Sequence, residues 1–172
     1  MTTQNGPTVI TIKVNGADLY NAFKISDPSI ISQIANLRFP ENASSGMPDI
    51  KEFCCLKDNQ DNPDYLCGDA IKTMKSSIYP DSHVLWLGKL DAGSQNDYTL
   101  RLDLAVIDRE SSRFFDRVLF NGNGAHILAF TNEYFDSSEE EPYLILLTVT
   151  PKKGNSGGKT FVLDPILKGI YK

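Results

Sequence analysis

Tyr143-Leu-Ile-Leu-Leu-Thr-Val-Thr150, then Pro151-Lys-Lys-Gly-Asn-Ser-Gly-Gly-Lys159, then Thr160-Phe-Val-Leu-Asp-Pro165, is the stretch on which the fold reading turns. Tyr143, Ile145, Leu147 and Val149 fall on one face at period two, and Leu144, Leu146 and Thr148 on the other. The run therefore reads as a strand buried on one side and nearly so on the second, which belongs at the centre of a sheet rather than at an edge. Gly154, Gly157 and Gly158 supply the backbone freedom a reversal needs. Phe161 to Leu163 then return, and Pro165, without an N–H, is expected to stop the pairing.

The same alternation recurs upstream. Val9-Ile-Thr-Ile-Lys-Val14 places Ile10, Ile12 and Val14 on one face and ends at the turn dipeptide Asn15-Gly16. Ser82 to Gly88 reads as a strand through Val84, Trp86 and Gly88. In the run from Tyr98, Leu100, Leu102, Leu104 and Val106 point one way while Thr99, Arg101 and Asp103 point the other, as in a sheet with one wet side. Arg117 to Phe120 and Ala125 to Thr131 are two more strands, joined by Asn121-Gly-Asn-Gly124 in what reads as a hairpin turn. One helical pattern interrupts the strands: Asp27-Pro28-Ser29 offers a cap and a first-turn proline, followed by Ile30, Ile31, Ile34 and Leu37 at helical spacing. From Pro40 to about Asp69 periodicity is lost to Asn, Asp, Ser, Pro and Gly, a long surface excursion. Together these predict an all-β fold, an antiparallel β-sandwich of jelly-roll or immunoglobulin-like type with one short helix near the N-terminus, forming a single domain over 1–172.

At 172 residues the chain is long enough to bury a core without metal or disulfide support. A net charge of -5 gives no electrostatic footprint for nucleic acid or an anionic membrane surface. No apolar run reaches ~18 residues and the first residues lack a secretory pattern, so a cytoplasmic product without membrane insertion is expected. Cys54, Cys55 and Cys67 fit no zinc spacing. Reduced, partly buried thiols are the expected state, with a Cys55–Cys67 clip as the alternative in an oxidising setting.

Three features together, Ile10 to Val14, then Val84, Trp86 and Gly88, then Phe161, Asp164, Pro165 and Ile166, resemble the bacterial inclusion-body protein family known as AidA or PixA. The order and rough spacing match along most of the chain, while Ala17 to Cys67 lies outside the pattern. The resemblance implies a β-sandwich, a cytoplasmic product that accumulates as inclusions, and no established catalytic site. Sugar binding would be one use of such a sandwich.

No residue pattern calls for catalysis or a cofactor. His83 and His126 sit in strand-like contexts away from a nucleophile motif, and Gly-x-Ser-x-Gly, His-Glu-x-x-His and phosphate-loop patterns are missing. Asp103 and Asp108 lie on different faces of their strand and read as solvated side chains or strand-end caps. Asp58-Asn-Gln-Asp-Asn-Pro-Asp64 is rich in the oxygens a hard cation takes, but it lacks the turn glycine and terminal glutamate of an EF-hand and reads first as an ordinary Asx-rich loop, as does Asp91 to Asp97. For a glycan, Trp86 could offer an aromatic face and Asp91, Asn96, Asn121 and Asn123 the polar groups, although Trp86 shares a face with Val84 and so reads first as core. The leading expectation is a non-catalytic, homo-oligomerising inclusion-type protein. The alternative is a lectin-like carbohydrate-binding module.

Overall fold

β9 (Glu140–Pro151) is the strand around which the larger of two sheets is built. The structure, a computed structural model, describes residues 6–23, 50–107, 112–136 and 139–170. Along the chain come β1 (Thr8–Val14), α1 (Gly16–Ala22), β2 (Cys54–Asp58), β3 (Leu66–Cys67) and β4 (Lys75–Ile78). They are followed by β5 (His83–Leu90), β6 (Tyr98–Ile107), β7 (Leu119–Asn121), β8 (His126–Phe130), β9, β10 (Lys159–Leu163) and β11 (Ile166–Gly169). One sheet has the order β3-β2-β1-β5-β8; the other runs β4-β11-β9-β6-β7, with β10 also paired to β9. The all-β reading holds, and β9 is central as its two-faced apolar pattern requires.

The inner faces of both sheets share one core. Ile10, Ile12 and Val14 of β1 and Val84 and Trp86 of β5 meet Tyr143, Ile145, Leu147 and Val149 of β9 there. On the far side of the larger sheet Leu144 and Leu146 pack with Val106, Leu104 and Val162 as a small second cluster. That cluster exists because β6 changes phase. The register between β6 and β9 slips between Leu102 and Leu104, leaving Asp103 as the extra residue of a bulge. Leu102 is therefore in the main core, but after the bulge it is Ala105 and Ile107 that face inward, and Leu104 and Val106 turn outward. The uniform alternation expected from Tyr98 to Val106 is corrected at this point.

Three further expectations are corrected. The sheets are mixed rather than antiparallel throughout, since β1 pairs β5 and β11 pairs β4 in parallel; parallel neighbours need long connections, which these sequence-distant strands have. β7 and β8 are not a hairpin: β7 pairs β6 in one sheet and β8 pairs β5 in the other. Gly122 to Ala125 thus carries the chain between layers, with Leu102 N–H donating to Gly124 O and Gly88 N–H to Ala125 O. Pro165 does not stop pairing, because Leu163 opposite Ile145 and Ile166 opposite Pro142 keep one register, bridged by Tyr143 N–H to Pro165 O at 3.1 Å. A short helix near the N-terminus is present at Gly16–Ala22, where Asn15 caps it by accepting Asp18 N–H at 3.1 Å. The helix expected over Ile30 to Leu37 lies outside the described residues, as does Asp108.

The helix is held at its other end by Lys159, whose ammonium donates to Tyr20 O at 2.7 Å and to Phe23 O and sits 3.9 Å from the Tyr20 ring centroid. Lys51, nearly buried, reaches Asp164 at 2.5 Å in the two-residue step between β10 and β11.

Cys55 and Cys67, directly opposite each other on β2 and β3, are joined as a disulfide with Cα atoms 4.1 Å apart. The expectation of reduced thiols is corrected: cross-strand register, invisible in sequence spacing, brings the two together. Alkylation of the unfolded, unreduced protein is expected to label Cys54 alone, and all three after reduction. Because the bond closes a short loop around a two-residue edge strand, its reduction should cost about 2 kcal/mol in urea unfolding and leave the fold intact.

Candidate functional site beside the outer strands

Of the residues proposed from sequence for a glycan, Asp91 and Asn96 lie in the turn after β5, Asn121 and Asn123 at the end of β7 and in the link that follows it, and Trp86 in the core. Trp86 is fully buried, its ring 5.7 Å from that of Tyr143 and 6.4 Å from that of Phe115, which corrects any surface role. Burial pushes the Tyr143 hydroxyl well above its ordinary range, and the Trp86 indole N–H, close by but outside hydrogen-bonding geometry, offsets only part of this. Asp91 and Asn96 lie in the turn after β5, where Asp91 O accepts Ser94 N–H at 3.1 Å. Asn121 pairs opposite Leu104 on β7, and Asn123 bridges to His126. Among the described residues no hydrogen bond links the Asp91/Asn96 turn to Asn121 or Asn123. His83 and His126 lie on the outer face of the smaller sheet, His83 against the Phe130 ring at 6.0 Å.

The Asp58 loop spends its oxygens on itself. Asp58 is buried, and its carboxylate accepts the N–H groups of Gln60, Asp61 and Asn62 at 2.8, 2.7 and 3.1 Å, the Asn62 amide at 2.7 Å and the Ser76 hydroxyl at 2.9 Å. Burial pushes this carboxyl up, but the Asn62 side chain and the three backbone donors outweigh it and hold the group below its ordinary value. Asp61 accepts Ser77 N–H, and Asn59 ties Val9 N–H and Pro7 O. These groups serve as a clasp between the loop, β1 and β4.

What the sequence did not single out is the side of the molecule formed by β7 and β8. Both are terminal in their sheets. They carry exposed apolar side chains: Leu119 on β7 is 44% exposed, Leu128 and Phe130 on β8 are 44% and 69% exposed, and Tyr134, just after β8, is 77% exposed. The outward positions of a strand paired on one side only are thus apolar where charge is the usual protection. Only the alternation of Ala125 to Thr131 hinted at this, since His126, Leu128 and Phe130 share the face opposite Ile127 and Ala129.

At the end of this pair away from the Gly122–Ala125 link lies a cavity of 570 Å³, lined by Ser112, the run Phe115 to Leu119 and Asn132. The segment before β7 is anchored by a buried carboxylate. Glu141, at the start of β9, accepts the Ser112 hydroxyl at 2.6 Å and Arg113 N–H at 2.5 Å, while Ser112 Oγ accepts Phe114 and Phe115 N–H. Glu141 is an internal pin, while its neighbours Glu139 and Glu140 pair with Arg113 and Lys75. Asn132 N–H donates to Phe114 O at 2.8 Å and its Nδ2 to Arg113 O at 3.1 Å, closing the cavity wall.

No family model matches this chain, and no curated protein matches it. Among solved structures, the crystal structure of the inclusion body protein PixA from Burkholderia cenocepacia J2315 is similar to it, with a TM-score of 0.52 and 8% identity, over 99% of this chain and 100% of that one. The resemblance read from the strand patterns therefore holds at the level of the fold. No helix among the described residues is long and apolar enough to cross a membrane.

Proposed function

We propose that this protein is a non-catalytic two-sheet protein that acts by self-association and accumulates as dense particles in the cytoplasm of the cell that makes it. The observation that carries the reading is the exposed apolar side of β7 and β8, above all Phe130 and Leu128 on an edge strand. A second copy is the partner that fits, because an edge strand offers unpaired backbone groups and an apolar face to an identical strand, and burying one phenylalanine per copy is worth about 2 kcal/mol. The fold likeness to an inclusion body protein agrees with this reading. The disulfide sits outside the main core, so the fold stands when a reducing cytoplasm opens it.

Sedimentation velocity across a concentration series is expected to show wild-type protein moving to larger species, and overproduction to yield particles. Replacing Leu128→Thr and Phe130→Lys together should abolish both with little change in stability, since both side chains are exposed. A wild-type protein that stays monomeric at every concentration and never forms particles would refute the proposal.

A further inference from the structure

The cavity beside β7 and β8 contains a charge arrangement that neither the fold nor self-association requires. Asp116 and Arg117 are neighbours in sequence, both are exposed, and both line the cavity. Among the described residues neither forms an ion pair or hydrogen bond, with the other or with a third group. Two opposite charges thus flank one concavity without neutralising each other.

Asn132 adds a third feature. Its N–H and Nδ2 are committed to Phe114 O and Arg113 O, which holds this part of the wall in place. The Ser112 hydroxyl does not compete for a ligand, since it already donates to Glu141 and accepts two backbone N–H groups. The rest of the wall is apolar: Phe115, Val118 and Leu119.

We propose that this cavity binds a small zwitterion of the amino-acid type. Arg117 takes the carboxylate, Asp116 takes the ammonium group, and an aliphatic side chain lies against Phe115 and Val118. Charge complementarity selects this class. A simple anion would face Asp116, a simple cation would face Arg117, and a neutral sugar would leave both charges without a counter-charge. The volume of 570 Å³ is ample for such a ligand and lies within the ordinary range of small-molecule sites. This site does not depend on self-association and is open in a single copy.

The test is a calorimetric or NMR titration of dilute protein with L-leucine, L-leucinamide and N-acetyl-L-leucine. Saturable binding of leucine is expected, with each capped analogue weaker by about tenfold or more, because each loses one charge-assisted contact. Arg117→Gln should weaken leucine by a similar factor and leave leucinamide unchanged; Asp116→Asn should do the same with N-acetyl-leucine unchanged. Both side chains are exposed, so circular dichroism should report an unaltered fold in either variant. Absence of saturable leucine binding up to its solubility limit, or equal affinity for leucine and both capped analogues, would overturn the assignment.

Discussion

Gly122→Ala should destabilise this protein by about 4 kcal/mol or more, enough to leave a marginal domain largely unfolded. A Cβ at position 122 would overlap the Leu102 carbonyl oxygen and its carbon, and it would crowd the carbonyl carbon of Asp103. These are backbone atoms, so no rotamer change relieves the clash. Relief requires moving β6 at its bulge, where Gly122 N–H already donates to Asp103 O at 2.8 Å. Gly124→Ala is the informative comparison. Its φ of 65° lies in the left-handed region but nothing stands within 4 Å of the new Cβ, so the cost is the strain alone, about 1 kcal/mol. Urea unfolding of the two variants should separate them by several-fold in free energy, and similar losses would show that the close approach of the link to β6 is misplaced.

Asp58→Ala ranks next, at about 4 kcal/mol, because it strands five donors that converge on one buried carboxylate. Ser76, almost fully buried, has no route to water in compensation. The carboxyl is held below its ordinary value of 3.8 in the folded state, so the unfolded chain binds its proton first as pH falls. The sign follows: the stabilisation is complete above the unfolded value, declines as pH drops below it, and is lost once pH passes through the folded value. Stability measured against pH should therefore fall in wild type below about pH 4 with a slope that Asp58→Asn removes. An unchanged acid limb in that variant would mean that other carboxylates govern acid unfolding.

The sequence read correctly where a residue's environment is set by its immediate neighbours. The alternation in Tyr143 to Thr150 located the central strand, and that of Ile10 to Val14 located the first one, because both patterns report burial directly. It failed where long-range register decides. One bulge at Asp103 reversed the faces of half of β6; Cys55 met Cys67 only because β2 and β3 align; and Asn121 to Gly124, an ordinary hairpin signal, was used to change sheets. The aromatic residue with the best chemistry for a ligand, Trp86, was taken by the core, as its partner Val84 on the same face implied. The cavity residues carried no motif at all. Asp116 and Arg117 are an unremarkable charged pair until the fold sets them beside Asn132.

The link from Gly122 to Ala125 also shapes how the molecule comes apart. One four-residue connection is hydrogen-bonded to Leu102 in the larger sheet and to Gly88 in the smaller, with its tightest point against the β6 bulge. Neither layer can peel away while that stitch holds, and breaking it exposes the inner faces of both at once. The two sheets are accordingly expected to unfold as a single cooperative unit, with subglobal opening confined to short terminal strands such as β3, rather than dividing the protein along the plane between its layers.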